Sequence, residues 1–135
     1  MILSFLAFLL IAPVYSSVKS CGKVTDLFTI DSLSQVPPDS IHAGDNFTLT
    51  LLYTNNQVVN GGTATTSVTY NFIPLTPTVK PVCESFACPL QPGQHDGSVS
   101  SLFPSGLSGT VVTKIVWKDD AGNQLLCISS TLSVS

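Results

Sequence analysis

The chain has 135 residues, with five lysines, no arginine and eight carboxylates, for a formal net charge of −3. A phosphate-binding surface needs clustered basic side chains, and these lysines are scattered, so nucleic acid is excluded as a partner. The mean hydropathy of +0.40 is raised by the apolar start of the chain, and the remaining residues suffice for one domain with one modest core.

The first segment, MILSFLAFLLIAPVYSS, is almost wholly apolar and changes abruptly to VKSCGKVTD. The run is short for a membrane span, and small Ser16 and Ser17 follow the break at Pro13, so residues 1–16 read as a secretory signal peptide. A retained anchor helix is the other reading, since Lys and Arg are missing from its first residues. No later stretch is apolar enough to span a bilayer as a helix. Residues 17–135 are therefore expected as one soluble, exported domain.

Export bears on the four cysteines, Cys21, Cys83, Cys88 and Cys127. In an oxidising compartment an even set is usually a set of disulfides. A zinc site needs further ligands at matched spacing, and a redox pair wants a two-residue gap at a helix start. Neither pattern is present. Of the three possible connectivities, local Cys83–Cys88 with Cys21–Cys127 joining the two chain ends is favoured.

After the signal segment Thr, Val, Ser and Pro dominate, with Gly- or Asn-rich breaks at short intervals, which predicts an all-β domain. A first strand is expected in KVTDLFTI (23–30), after Cys21. NFTLTLLYT (46–54) alternates Phe47, Leu49, Leu51 and Tyr53 against a mostly hydroxylated face, as a half-buried strand requires. NNQVVNGG turns the chain. TATTSVTYNF (63–72) repeats the pattern with Ala64, Thr66, Val68, Tyr70 and Phe72 on one side. IPLTPTVKPVC (73–83) carries three prolines and must be an edge strand or rim segment. GSVSSLF (97–103) is a weaker strand. The final stretch, 110–134, is a hairpin whose two β-rich arms flank Asp-Asp-Ala-Gly-Asn. About seven strands make a two-sheet β-sandwich of immunoglobulin-like type, though an antibody-type domain would place its cysteines differently around Trp117.

Chemistry for catalysis is sparse, and no enzyme activity is expected. His42 and His95 sit in polar turn sequences without a nucleophile motif nearby, and PSGLSG (104–109) is no strand-to-helix elbow. Asp119 and Asp120 read as a hairpin tip rather than an acid–base pair. Gly61–Gly62 reads as a turn rather than a phosphate loop. No metal or cofactor is called for. Asn46-Phe47-Thr48 is a glycosylation sequon, usable if Asn46 faces solvent while Phe47 points inward.

SCGKV after the signal segment, PP followed by AGDNFTLTL, CESFACPLQPGQ, and IVWKDDAGNQLLCISSTLSV together resemble the ML lipid-recognition family. That family includes Niemann–Pick type C sterol carriers, phosphatidylglycerol/phosphatidylinositol transfer proteins and group two mite allergens. The resemblance covers the mature chain in order. It implies a lipid enclosed in an apolar cavity between two sheets, disulfides matching Cys21–Cys127 and Cys83–Cys88, and transient membrane contact by a monomer that is secreted or held in an endolysosomal or vacuolar lumen. Trp117 matches the family's Trp before the last hairpin, and Phe47 an aromatic at the start of the second strand. The sterol carriers have a further cysteine pair in an early loop where this chain reads SLSQVPPDSIHAG, which puts it nearer the phospholipid branch.

On this reading the cavity liners are Phe47, Leu49, Leu51, Tyr53, Val68, Tyr70, Phe72, Ile115 and Trp117. Leu75, Leu102, Phe103 and Leu107 form an apolar mouth that touches membranes, with Lys80, Lys114 and Lys118 aiding approach to anionic lipid. The competing expectation is an exported recognition or adhesion module with a solid core, because inward apolar residues of a sandwich ordinarily interlock.

Overall fold

The computed structural model of the chain describes residues 18–38, 40–102 and 108–134, and of residues 99, 101 and 102 the backbone alone. Among these residues ten strands follow in order: β1 (Val18–Ser20), β2 (Phe28–Val36), β3 (Ser40–Ile41), β4 (Asn46–Asn55), β5 (Gly62–Tyr70), β6 (Ile73–Pro74), β7 (Thr78–Pro81), β8 (Gly93–Leu102), β9 (Gly109–Asp119) and β10 (Gln124–Val134). A 3₁₀ turn, Val82–Glu84, follows β7. One sheet runs β1-β10-β9-β5-β6, with β3 on β10 and β7 on β5; the other runs β2-β4-β8. Seven of the ten strands are four residues or longer, and these make the two-sheet sandwich that the sequence predicts.

The period-2 stretches place the core. In β4 the residues Phe47, Leu49, Leu51, Tyr53 and Asn55 are buried while their neighbours are less so. In β9 Val111 and Trp117 are buried, with Thr113 and Ile115 on the same parity. Asp119 shapes the β9–β10 hairpin: its carboxylate accepts the N–H groups of Ala121 at 3.0 Å and Asn123 at 2.8 Å. A polar bridge joins the sheets at the β2 side, where the buried Ser130 hydroxyl donates to Gln35 and the Gln35 amide donates to the Pro38 carbonyl at 2.6 Å.

Four expectations shift. β1 precedes Cys21, because Val18–Ser20 pair antiparallel with Ile128–Ser130. Residues 23–27 form a turn, held by the Lys23 N–H on Asp26, so β2 starts only at Phe28. β5 stops at Tyr70, two residues early, where Asn71 and Phe72 take positive φ. β8 begins at Gly93, before the expected Gly97, because β4 is long enough to pair along the whole of Gly93–Leu102. His95 therefore lies in a strand and not a turn.

The sheets meet most closely where β2 lies against β1 and β10. There Cys21 is joined to Cys127, and the Cys21 N–H donates to the Cys127 carbonyl at 3.0 Å. Cys83 and Cys88 close a small loop after β7 that carries Phe86 back into the interior. The two bonds differ greatly in the loop they close, 106 residues against five. Loop-closure entropy then gives about 4–5 kcal/mol for the long bridge and about 2 kcal/mol for the short one. Urea unfolding should rank Cys21→Ala/Cys127→Ala well below Cys83→Ala/Cys88→Ala in stability, and equal losses would contradict this account.

Candidate functional site

The interior is divided by ring packing. Phe28 of β2 stacks on Tyr53 of β4 with centroids 5.1 Å apart. Trp117 of the facing sheet meets Tyr53 edge-on at 5.7 Å and Phe28 at 6.3 Å. Phe86 closes the set, 5.6 Å from Trp117. Such edge-to-face contacts add roughly 0.5–1.5 kcal/mol per pair beyond the area they bury. This end of the sandwich is solid.

Beyond Trp117 the gap is not filled. A cavity of about 550 Å³ lies between the sheets, with Leu49 and Leu51 on one wall and Ala64, Ile115, Trp117 and Ile128 on the other. The volume falls within the roughly 300–1,000 Å³ usual for small-molecule pockets. Two local features leave the space. Ala64 and Thr66 present small side chains where β5 faces inward, and Gly97 presents none where β8 does. A Cβ at Gly97 would meet only the Tyr53 ring, at an ordinary 4.0 Å. Glycine in a strand interior often marks a place where something else approaches closely.

The cavity opens between the edges β7 and β8, on the side away from the Cys21–Cys127 bond. Its rim is polar: Thr78, Lys80, Glu84 and Ser85 on one lip, Ser98 and Ser100 on the other, all exposed. The small disulfide loop holds Glu84 and Ser85 in place, helped by the Ser85 and Phe86 N–H groups donating to the Val82 carbonyl at 2.8 and 3.1 Å.

Of the residues singled out from sequence, Leu49, Leu51, Ile115 and Trp117 line this cavity. Phe47 and Tyr53 are buried in the packed core, and Val68 and Tyr70 are half-buried against it. Phe72 departs from the expectation outright. It is 89% exposed, because the chain turns at Asn71–Phe72 and breaks the strand parity that would have carried it inward. Leu75 is exposed but stands outside the cavity lining. The Leu102 side chain, Phe103 and Leu107 lie outside the described residues. The mouth that the described residues form is thus hydroxylated and charged where an apolar lip was expected. Asn46 is exposed at the start of β4 with Phe47 buried beside it, the arrangement the sequon needs. Ala64 and Thr66 read from sequence as sharing a face with Val68 but not as liners, and Gly97, Ser98, Ser100 and Ile128 were missed. A void is made by small residues, and small residues carry no periodic signal.

Among the described residues two titratable groups are tuned by their surroundings. On the outer face of β2-β4-β8, Asp31 accepts the Thr54 hydroxyl at 2.5 Å and the Gln94 amide at 3.1 Å, which hold its carboxyl below the usual range. Burial, with the Asp96 charge adding to it, pushes the Tyr53 phenol up to about 12. His95 lies against Tyr53, ring centroids 5.7 Å apart, with its Nε2 2.7 Å from the Gln91 carbonyl oxygen. Among the described residues no group of three His, Cys, Asp or Glu side chains could hold a metal ion.

A family model for the ML domain matches residues 15–134. A Dictyostelium discoideum protein, named as a candidate phosphatidylglycerol/phosphatidylinositol transfer protein, is 27% identical over 135 residues, spanning 96% of this chain and 95% of its own. Among solved structures, a Niemann–Pick type C2 protein from the Japanese carpenter ant superposes with a TM-score of 0.70 at 14% identity, covering 87% of this chain and 98% of that one. Chicken MD-1, solved with lipid IVa, gives a TM-score of 0.55 at 13% identity over 84% and 85% of the two chains. At these identities the two structures establish the shared fold.

The Tyr53 environment has a measurable consequence. The unfolded phenol ionises near its ordinary value and the folded one near 12, so the unfolded state sheds its proton first as pH rises. The contribution is whole below about pH 10 and is lost between about pH 10 and 12. Melting temperature should fall across that window, and Tyr53→Phe should flatten the fall. An equal fall in the variant would assign it elsewhere.

Proposed function

Because the chain belongs to the ML domain family, we propose that it is a lipid carrier that encloses hydrocarbon between its sheets and passes it between membranes. The observation that carries this reading is the cavity beyond Trp117, apolar inside and polar at its lip. Hydrocarbon in water costs about 0.8 kcal/mol per methylene, on the order of 10 kcal/mol for one long chain. Leu49, Leu51, Ile115, Trp117 and Ile128 offer it an apolar wall, while Thr78, Lys80, Glu84, Ser85, Ser98 and Ser100 remain in water beside whatever polar group the lipid carries.

The polar rim favours a phospholipid over a sterol, since a headgroup needs partners at the mouth and a sterol offers little more than one hydroxyl. The Dictyostelium relative's name, phosphatidylglycerol/phosphatidylinositol transfer, supports the same class. Binding and release are passive, with no covalent step. The acting form on this reading is a monomer of residues 17–135, freed of its signal segment and held outside the cell or in an endolysosomal or vacuolar lumen. Cys21–Cys127 and Cys83–Cys88 suit such an oxidising place.

The test is direct. Native mass spectrometry of the protein purified without detergent should show a lipid adduct, and the protein should take up a short-chain fluorescent phospholipid presented below its micellar concentration. Gly97→Phe inserts a ring where only Tyr53 is near, so it should fold and melt cooperatively while losing uptake by roughly tenfold or more. A wild-type protein that neither carries nor takes up lipid would reduce the chain to an exported sandwich with an idle hollow.

A further inference from the structure

Of the seven exposed large apolar side chains among the described residues, four fall within one stretch of eight: Phe72, Ile73, Leu75 and Val79. Phe72 is the most prominent of these. It sits at the tip of a two-residue hairpin, between the paired Tyr70 and Ile73, with φ of 67°, and Asn71 before it has φ of 47°. Two positive φ angles are what a tight hairpin of this kind demands, and Asn-Gly is the pair that meets the demand without strain. A bulky residue in left-handed backbone is a genuine outlier. Here it persists because the turn is pinned from behind.

The pinning is complete on the inner side. The Tyr70 hydroxyl donates to the Ser108 carbonyl at 2.6 Å and accepts the Ser108 N–H at 3.1 Å. Asn71 exchanges backbone and side-chain bonds with Thr110: its N–H donates to the Thr110 carbonyl at 2.8 Å, and its side-chain oxygen accepts the Thr110 N–H at 2.8 Å. Gly109 makes room for this, since a Cβ there would collide with the Asn71 amide. The turn cannot fold Phe72 inward without giving up these bonds.

The strands that carry the tip bear charge of one sign as far as Asp119. Residues 46–83 contain no carboxylate in a chain whose net charge is −3, and their one charged side chain is Lys80. The neighbouring β9 adds Lys114 and Lys118 and meets its first carboxylate at Asp119, which pairs with Gly62. Eight residues separate that pairing from Tyr70 opposite Val111, about 26 Å along the strand. The rim of the cavity is nearer: Thr78 pairs with Thr66, four residues or about 13 Å from Tyr70.

We infer that the Asn71–Phe72 hairpin is the element by which this protein seats on an anionic bilayer, with Phe72 and Ile73 entering the interface and Leu75 flanking them. The inference rests on the carrier reading for its purpose. Its own readout is vesicle binding, which does not require a loaded cavity. An apolar tip on strands whose only charges short of Asp119 are Lys80, Lys114 and Lys118, a short step from the opening, fits a surface of anionic headgroups over hydrocarbon.

Phe72→Gly separates function from structure by sign. It restores the turn's preferred pair, so melting temperature should rise, by roughly 4 °C. Binding to phosphatidylcholine vesicles containing phosphatidylglycerol, measured by flotation, should drop by roughly tenfold or more. Phe72→Trp should bind as wild type, and uptake of monomeric fluorescent phospholipid should be unchanged in both variants. Undiminished flotation of Phe72→Gly would overturn the inference. So would a wild-type dimer that Phe72→Gly dissolves, because the patch would then be a contact between copies. Failure of monomeric lipid uptake in wild type, with flotation still dependent on Phe72, would remove the carrier reading and leave this surface standing.

Discussion

Four rings, Phe28, Tyr53, Trp117 and Phe86, hold the two sheets at a fixed separation, and the rest of the interior inherits it. Sheets in a sandwich ordinarily close on interlocking side chains. Here the ring set reaches across from both sheets and from the small disulfide loop, whereas beyond Trp117 the facing positions are Ala64, Thr66 and Gly97. Large residues at one end and small ones at the other leave space without any unusual backbone. Trp117 belongs to both regions: it packs edge-on against Tyr53 and forms a wall of the hollow.

The two long edges of the sandwich have different duties. On one side β2 lies against β1 and β10, tied by the Cys21–Cys127 bond and the buried Ser130–Gln35 contact. On the other, β7 and β8 are bordered by hydroxyl and charged side chains. Buried polar groups with partners stiffen the closed edge, and solvated ones keep the open edge from zipping shut on an apolar seam. The cysteines follow this division, one pair at the closed edge and one at the lip.

Much of this was legible in the chain, for reasons that can be given residue by residue. Phe47, Leu49, Leu51 and Tyr53 alternate because one face of β4 is buried and the other is not, and burial is what composition records. The β9–β10 hairpin shows itself through Asp119 and the turn residues after it. What escaped reading has physical causes as well. Phe72 hid a turn, because an aromatic residue in a β-rich run reads as strand and only backbone angles reveal otherwise. Gly93–Asp96 has turn composition, yet the length of β4 recruits it as strand. The hollow was beyond the reach of pattern altogether. Periodicity marks which residues point inward, never how much of the interior they fail to fill.

Gly97 shows where that last point leads. A glycine in a strand interior weakens the strand, and its φ lies outside the left-handed region where a side chain would be strained. Selection for heat resistance alone would therefore favour a larger residue at this position and return a sturdier molecule with a smaller hold. Vulnerability and cargo space are the same missing atoms, so this fold retains its capacity only where something other than robustness is being selected.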